Sequence, residues 1–493
     1  MKKFISLVLA LLMMLCLCTT ALADGTADVT TTRTYNGYKL LDLTTSLKCD
    51  HTGEGATHTE ACYTYAYTVN TKYEALLEEV AGEKDILDYL AEQSGDTDAG
   101  YGSLRAVADA IYRKILEKGL AADAPNLTGT ESIDQGYWLF ADVTDVDDEN
   151  EANSLVVLDT KGQEALTIKT KVGLPTIVKK VKDLNDSTGA ETDWQDSADY
   201  DILDTVPFQL TLTLPENLAG YTEYQLIIHD TLSSGLTLDA DSFKVMMGNT
   251  DVTGNFAYAP GTAGQFTYTC ANVLAINGVT KDSTFVVTYD ATLNNGAVIG
   301  AAGNPNEVYL EFSNNPYGTG TGKTQTDKVT VFTYQLSINK IDANEDPLKG
   351  AGFTLYKKNG EAYTAIGGEL VGGDMTTFTW VGLDDGDYKL EETTVPDGYN
   401  KMEDKLFTIT AEHSEESDAP VLTGLTSTLG AAVKDNSGTF TGVIEEDIVN
   451  QSGTILPETG AKGTMMLIGG GSVLVLLAAI FMVTRKKMSV YED

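Results

Sequence analysis

Short runs of alternating apolar and polar residues recur along the chain, and this period of two constrains the fold more than any other feature. Residues 208–214 alternate and stop at Pro215. Residues 225–230, 284–289, 308–312 and 328–333 read the same way. Successive side chains of a strand point to opposite faces, so each run has one dry face and one wet one. Many such strands joined by turns build sandwiches. Composition agrees, with 47 Gly for turns, only 11 Pro, and 24 Tyr. A length of 493 residues fits roughly three domains. The balance of 33 Lys+Arg against 72 Asp+Glu gives a net charge of −39. No basic cluster lies in the body of the chain, so a nucleic-acid partner is excluded. Four His leave little room for His-based catalysis or a multi-His metal site.

Residues 24–171 are mixed. Tyr63-Thr-Tyr65-Ala-Tyr67 alternates like a strand, and 136–143 and 154–158 are further strands. Between them, Leu104, Val107, Ala108, Ile111, Ile115 and Leu116 share one helical face; Ser103 is placed to cap that helix and Gly119 to end it. The region reads as a β-domain with helices against it. Residues 172–333 and 334–450 are strand-rich throughout.

The ends give an address. Residues 1–23 have a Lys2-Lys3 start, an apolar run and Ala21-Leu22-Ala23, the pattern of a cleaved secretory signal. Residues 465–483 are apolar and long enough to span a bilayer, and Arg485-Lys486-Lys487 follow. Just upstream stands Leu456-Pro457-Glu458-Thr459-Gly460. Pentapeptide, span and basic tail together, within 451–493, resemble the cell-wall sorting signal of Gram-positive surface proteins. That resemblance implies that a sortase cleaves Thr459–Gly460 and passes the Thr459 acyl group to an amine. Cys49 and Cys62 can pair across a short loop or remain inert thiols. His51 and His58 in the same loop make a Cys2His2 metal site the alternative, although the spacing fits no familiar zinc module. Cys270 is then a buried thiol. No metal or cofactor is expected.

Several inward strand faces carry a polar residue. Leu336, Ile338 and Lys340 share a face, as do Tyr388, Leu390 and Glu392, and Ile448 and Asn450. Glu391 has the opposite parity. A buried Lys is pushed toward its neutral, nucleophilic form, and a buried Glu toward its acid form, which can polarise an Asn carbonyl. The product would be a Lys–Asn amide with release of ammonia. Tyr388-Lys-Leu390-Glu-Glu392, then Pro396-Asp-Gly398-Tyr399, Lys340-Ile-Asp342, Phe353-Thr-Leu355 and Val449-Asn450 resemble the collagen-adhesin B-type domains, which self-crosslink in this way. By that resemblance Lys340 attacks, Asn450 accepts and Glu392 shuttles protons. The segment 411–440 is an expansion with no assigned place.

The middle region repeats the pattern. Ile177, Lys179 and Val181 share a face, as do Leu226, Ile228 and Asp230, and Asn306, Val308, Leu310 and Phe312. Segments 175–181, 206–210, 230–236 and 304–316 resemble the isopeptide-forming middle domain of major pilins. Lys179 with Asn306, assisted by Asp230, is the expected set; Lys180 and Asn304 are rivals. The resemblance further implies an exposed intersubunit lysine near the first junction. Lys171 falls at that spacing, with Lys169 and Lys161 as rivals.

Together these features resemble the shaft subunits of sortase-assembled pili. They imply a mainly β chain of tandem Ig-like sandwiches of the collagen-adhesin type, the first with added helices. Its expected partners are a polymerising and a wall-anchoring sortase, identical subunits, minor tip and base pilins, peptidoglycan and a host surface ligand. The alternative is a monomeric wall-anchored adhesin. An anchored enzyme is disfavoured, because no nucleophile–His–acid set is evident.

Overall fold

A computed structural model describes residues 26–47, 63–97, 100–146 and 151–453. It is mainly β, built from successive β-sandwiches with few helices. The signal, Cys49, Cys62, the sorting pentapeptide and residues 465–483 lie outside the described residues. Among the described residues no helix is long and apolar enough to cross a membrane.

The first region is one six-stranded sheet organised around the long strand Thr26–Leu47. Its path runs Tyr63–Val69, Thr26–Leu47, Gly136–Asp142, Leu155–Asp159, and the strands Ala124–Asp134 and Ala165–Thr167 also join Thr26–Leu47. The helices Glu74–Ala81, Ile86–Ala91 and Ser103–Glu117 lie against one face, closing a core of Leu40, Tyr73, Leu76, Ile111, Ile115 and Leu139. Ser103 does not cap the third helix. The cap position is Gly102, where a Cβ would come within 2.0 Å of the Ser94 carbonyl, so the chain passes too close for a side chain there. Ser103 Oγ instead accepts the Ser94 N–H at 3.0 Å. Gly119 does end the helix, in the left-handed conformation (φ +60) that favours glycine.

The middle region is a two-sheet sandwich. A seven-stranded sheet runs Ser197–Asp199, Asp327–Phe332, Asn304–Ser313, Leu226–Leu232, Gln265–Cys270, Ala257–Pro260, with Thr321–Lys323 beside Asn304–Ser313. It faces a five-stranded sheet, Thr250–Asp251, Leu236–Met247, Thr284–Leu293, Thr205–Thr213, Thr176–Val181. Burial follows the alternation: Val206, Phe208, Leu210 and Leu212 are wholly buried while their neighbours are not. Cys270 is a buried free thiol within this core.

The last region pairs its first and last strands in parallel. Tyr334–Asp342 lies beside Phe440–Asn450, with Lys340 opposite Ile448 and Asp342 opposite Asn450. Thr377–Leu383 and Ala431–Lys434 complete that sheet. The facing sheet is built on Gly352–Asn359, Gly386–Thr394, Lys405–His413 and Leu422–Ser427. The expansion at 411–440 supplies the end of the Lys405–His413 hairpin, and the tip of that hairpin reaches the middle sandwich. Asp196 N–H donates to the Glu415 carbonyl at 2.8 Å, and Ser417 N–H to Asp196 Oδ2 at 2.7 Å.

Candidate functional site

The alternation that builds the middle sandwich also carries three polar groups into its interior. Lys179, on the edge strand Thr176–Val181, reaches across to the opposite sheet, where Asp230 and Asn306 occupy neighbouring strands. All three are buried, at 0%, 1% and 0% exposure. Lys179 Nζ donates to both Asp230 oxygens at 2.8 Å and to Asn306 Oδ1. Tyr289 closes the ring: its hydroxyl donates to Asp230 Oδ2 at 2.7 Å and accepts from Asn306 Nδ2 at 2.8 Å. The Tyr289 and Phe208 rings flank the amine at 5.6 and 5.8 Å.

This setting favours neutral forms. Burial lowers the Lys179 pKa to about 8 despite Asp230, and burial raises that of Asp230 despite Lys179. A proton passed from ammonium to carboxylate leaves a free amine against an amide carbon and an acid beside it. The rivals are otherwise engaged. Asn304 bonds the backbone at Val298 and Val331. Lys180 is ion-paired to Asp196 and Glu416, both at 2.8 Å.

The last region holds a second set in a different pose. Lys340, Glu392 and Asn450 are again buried, at 0%, 0% and 1%. Asn450 Nδ2 donates to Glu392 Oε1 at 2.6 Å, and Met402 N–H donates to Oε2 at 2.8 Å. Lys340 Nζ donates instead to the Ile448 and Ile341 carbonyls at 2.9 and 3.0 Å. Burial lowers its pKa to about 8. Asn450 Oδ1 is buried without a hydrogen-bond partner. Turning the Asn450 amide by half a turn would point this oxygen at Glu392, the geometry a proton donor needs. Glu391 is half-buried and tied to Lys401 and Lys389 at 3.1 and 3.2 Å, away from the set.

Sequence reasoning missed two groups. Tyr289 was legible only as an inward position of an alternating strand. Lys357 shares the strand parity of Phe353 and Leu355, an inward-lysine signal left unused, while its partners come from distant segments: Asp201 at 2.6 Å, Asp384 at 2.9 Å and Asp186 at 3.1 Å. Burial alone would lower the Lys357 pKa, but Asp384 and Asp201 outweigh it and hold the amine charged.

Two expectations change. Lys171 is half-buried, not free. Its Nζ donates to the Thr97 carbonyl at 2.6 Å and lies 4.7 Å from the Tyr101 ring centre, and its own carbonyl accepts from Arg105 at 3.3 Å. Lys169 is the exposed member of the trio, and Lys161 lies half-buried beside Tyr65. A nucleophile–His–acid set also exists in outline. Ser197 Oγ lies 2.7 Å from His413 Nδ1, and His413 Nε2 lies 3.5 Å from Asp199. Ser197 is wholly buried and spends its proton on the Ser414 carbonyl at 2.6 Å. It can therefore accept from Nδ1–H, and with Nε2 facing Asp183 and Asp199 the ring is placed to donate on both sides. Burial opposes a positive charge there, but Asp183 and Asp199 raise the His413 pKa to about 9. The set ties two sandwiches together.

Residues 334–420 match the family model of SpaA, described as a prealbumin-like fold domain. The chain is similar to the trypsin-resistant surface T6 protein of Streptococcus pyogenes serotype M6. The two are 24% identical over 399 residues, covering 65% of this chain and 70% of that protein. It also overlays the solved T6 backbone pilin of serotype M6 Streptococcus pyogenes with a TM-score of 0.51 at 16% identity. That overlay covers 88% of this chain and 100% of that one. The T6 pilin structure is described as modular and three-domain, with variable loops and extensions. The overlay shows a shared fold.

Proposed function

We propose that this chain is the structural shaft subunit of a covalent, sortase-assembled surface pilus. It would have three domains (24–171, 172–333, 334–450), and Lys179–Asn306 and Lys340–Asn450 amides would stiffen it. The observation that carries the reading is the closed Lys179–Asp230–Asn306–Tyr289 ring, which has no use in an ordinary core. Burying a charged pair is costly, and apolar residues of similar volume would pack there without that cost. In the reaction Lys179 Nζ attacks Asn306 Cγ. The proton taken up by Asp230 passes to the departing nitrogen, and ammonia leaves. One C–N bond forms, one breaks, and no oxidant is needed. Resemblance to the T6 protein supports the shaft role, and the Leu456–Gly460 motif supports wall anchoring through Thr459.

Intact mass tests the crosslinks: each amide removes about 17 Da as ammonia. A mass equal to that of the unmodified exported chain overturns them. Polymerisation is tested by co-expression with a pilus sortase. Lys171→Ala should abolish the high-mass ladder on a denaturing gel. A ladder that survives in Lys171→Ala but fails in Lys169→Ala would move the linkage to Lys169. The engaged Lys171 amine favours a second reading, the monomeric wall-anchored adhesin, which would form no ladder in any variant.

A further inference from the structure

The strand Phe440–Asn450 ends on the residue that the Lys340 amine would attack, and chain ends fray unless something ties them down. Here the tie is made by the three residues just beyond. Asn400 N–H donates to the Gln451 carbonyl at 3.0 Å, and Gly453 N–H to the Gly398 carbonyl at 3.3 Å. Tyr399 and Ser452 thus face each other in an isolated antiparallel bridge. Two residues after Asn400, Met402 N–H donates to Glu392 Oε2 at 2.8 Å, and Glu392 Oε1 accepts from Asn450 Nδ2 at 2.6 Å. These contacts close a circuit from Asn450 through Gln451, Asn400, Met402 and Glu392 back to Asn450. Glu392 and Asn450 are buried, whereas Gln451, Ser452 and Gly453 are exposed and lie outside the core.

We propose that segments 398–402 and 451–453 form a clip that positions Glu392 and Asn450 for the Lys340–Asn450 amide; the inference rests on that proposed bond. The clip keeps the last residue of the strand from swinging out. It also fixes which carboxyl oxygen faces Asn450. Oε2 is occupied by the Met402 N–H, so a proton on Glu392 belongs on Oε1, the oxygen that faces the amide. After the half-turn of the Asn450 amide, that O–H meets Oδ1 and polarises Cγ. Lys340 Nζ, as the free amine, then bonds Cγ. The Cγ–Nδ2 bond breaks, one amine proton leaves with Nδ2 as ammonia, and Glu392 ends with one proton, as it began. Met402 acts through Glu392, and Asn400 through Gln451 and Met402, so both are positioning residues. The middle site has no such need, because Asn306 lies within a strand paired on both sides, to Leu232 and to Val329.

Gly453 offers the test. Its φ of +108 is closed to proline, which is held at about −65° and has no N–H to donate. Gly453→Pro should therefore open the clip without touching the core. Full chain recovered unfolded from inclusion bodies is refolded, and peptide mapping by mass follows ammonia loss at each site. Loss at the last site should slow by about tenfold or more, and loss at the middle site should keep its parental rate. Asn400→Pro, which removes the other donor, should do the same. Asp374→Asn, at a 96% exposed side chain, should change neither rate. Circular dichroism and the normal middle-site reaction report that each variant folds. In a Lys340→Met background, which cannot crosslink, Gly453→Pro should speed hydrogen exchange of the 15N-labelled Met402 amide and leave Tm unchanged. A fall in Tm there would make the clip a purely structural tie and overturn the positioning role. A parent that never loses ammonia at the last site would overturn the amide itself. A parent that does, with a parental rate in either folded proline variant, would overturn the clip alone.

Discussion

Two buried lysines of similar burial are held in opposite ways. Lys179 is gripped by the groups it would react with, Asp230 and Asn306. Lys340 rests on two backbone carbonyls, while its proposed partners, Glu392 and Asn450, bond each other. The difference follows from topology. Lys179 crosses between sheets, so its side chain must span the core. Lys340 sits in a parallel pair beside the strand that carries Asn450, where one carbonyl of that strand, Ile448, and one of its own, Ile341, accept from it. One site therefore presents assembled reactants, and the other needs a lysine rotation and an amide turn. Lys357 supplies the contrast, because three carboxylates keep its amine charged and unreactive.

The largest effect should come from removing each acceptor. Asn306→Ala and Asn450→Ala should each restore about 17 Da and lose about 4–5 kcal/mol of stability through denatured-state entropy, by analogy with disulfides. Loops of 127 and 110 residues differ too little to separate the two sites. Unequal losses in denaturant melts would show that the two poses matter beyond loop closure. Next, Lys357→Met should cost about 3–5 kcal/mol by stranding buried carboxylates, with no ammonia mass recovered. A recovered mass would make Lys357 a third crosslink and collapse the contrast.

A smaller effect separates the sites by pH. In Asn306→Ala the Lys179 amine stays unreacted. Its folded pKa of about 8 lies below the 10.5 of a free lysine. Between those values the unfolded chain binds more protons, so stability should rise with pH, by about 3 kcal/mol. A parent crosslinked as proposed would have no such amine and should show no rise from this site. A flat profile in the variant would mean the amine is held charged. The smallest effect is Tyr289→Phe, which deletes one donor to Asp230 and should cost about 1 kcal/mol. It should slow ammonia loss at the middle site, followed by mass in freshly refolded chain, and leave the Lys340 site untouched.

Much of this was legible before any coordinates. Strand parity alone put Lys179, Asp230, Asn306, Lys340, Glu392 and Asn450 on inward faces, because alternation is local and survives tertiary context. Parity could not choose Asn306 over Asn304, since both point inward; only the structure distinguishes them, with Asn304 bonded to the backbone at Val298 and Val331. Parity puts Lys357 on the face of Phe353 and Leu355, but it could not name the partners of Lys357 or His413, which are brought in by the sandwich junction and not by neighbouring sequence. Ser103 misled for a related reason. Capping preference is local, but a close pass of the chain at Ser94 imposed Gly102.

The parallel pairing of Tyr334–Asp342 with Phe440–Asn450 has a consequence for sequence drift. Given the Lys340–Asn450 amide, tension entering at Tyr334 leaves at Asn450 after crossing only the first strand. The intervening hairpins, including the exposed Ala362–Ala365 strand, carry no load. Substitutions there would leave that covalent path intact, whereas loss of Lys340, Glu392 or Asn450 would remove it.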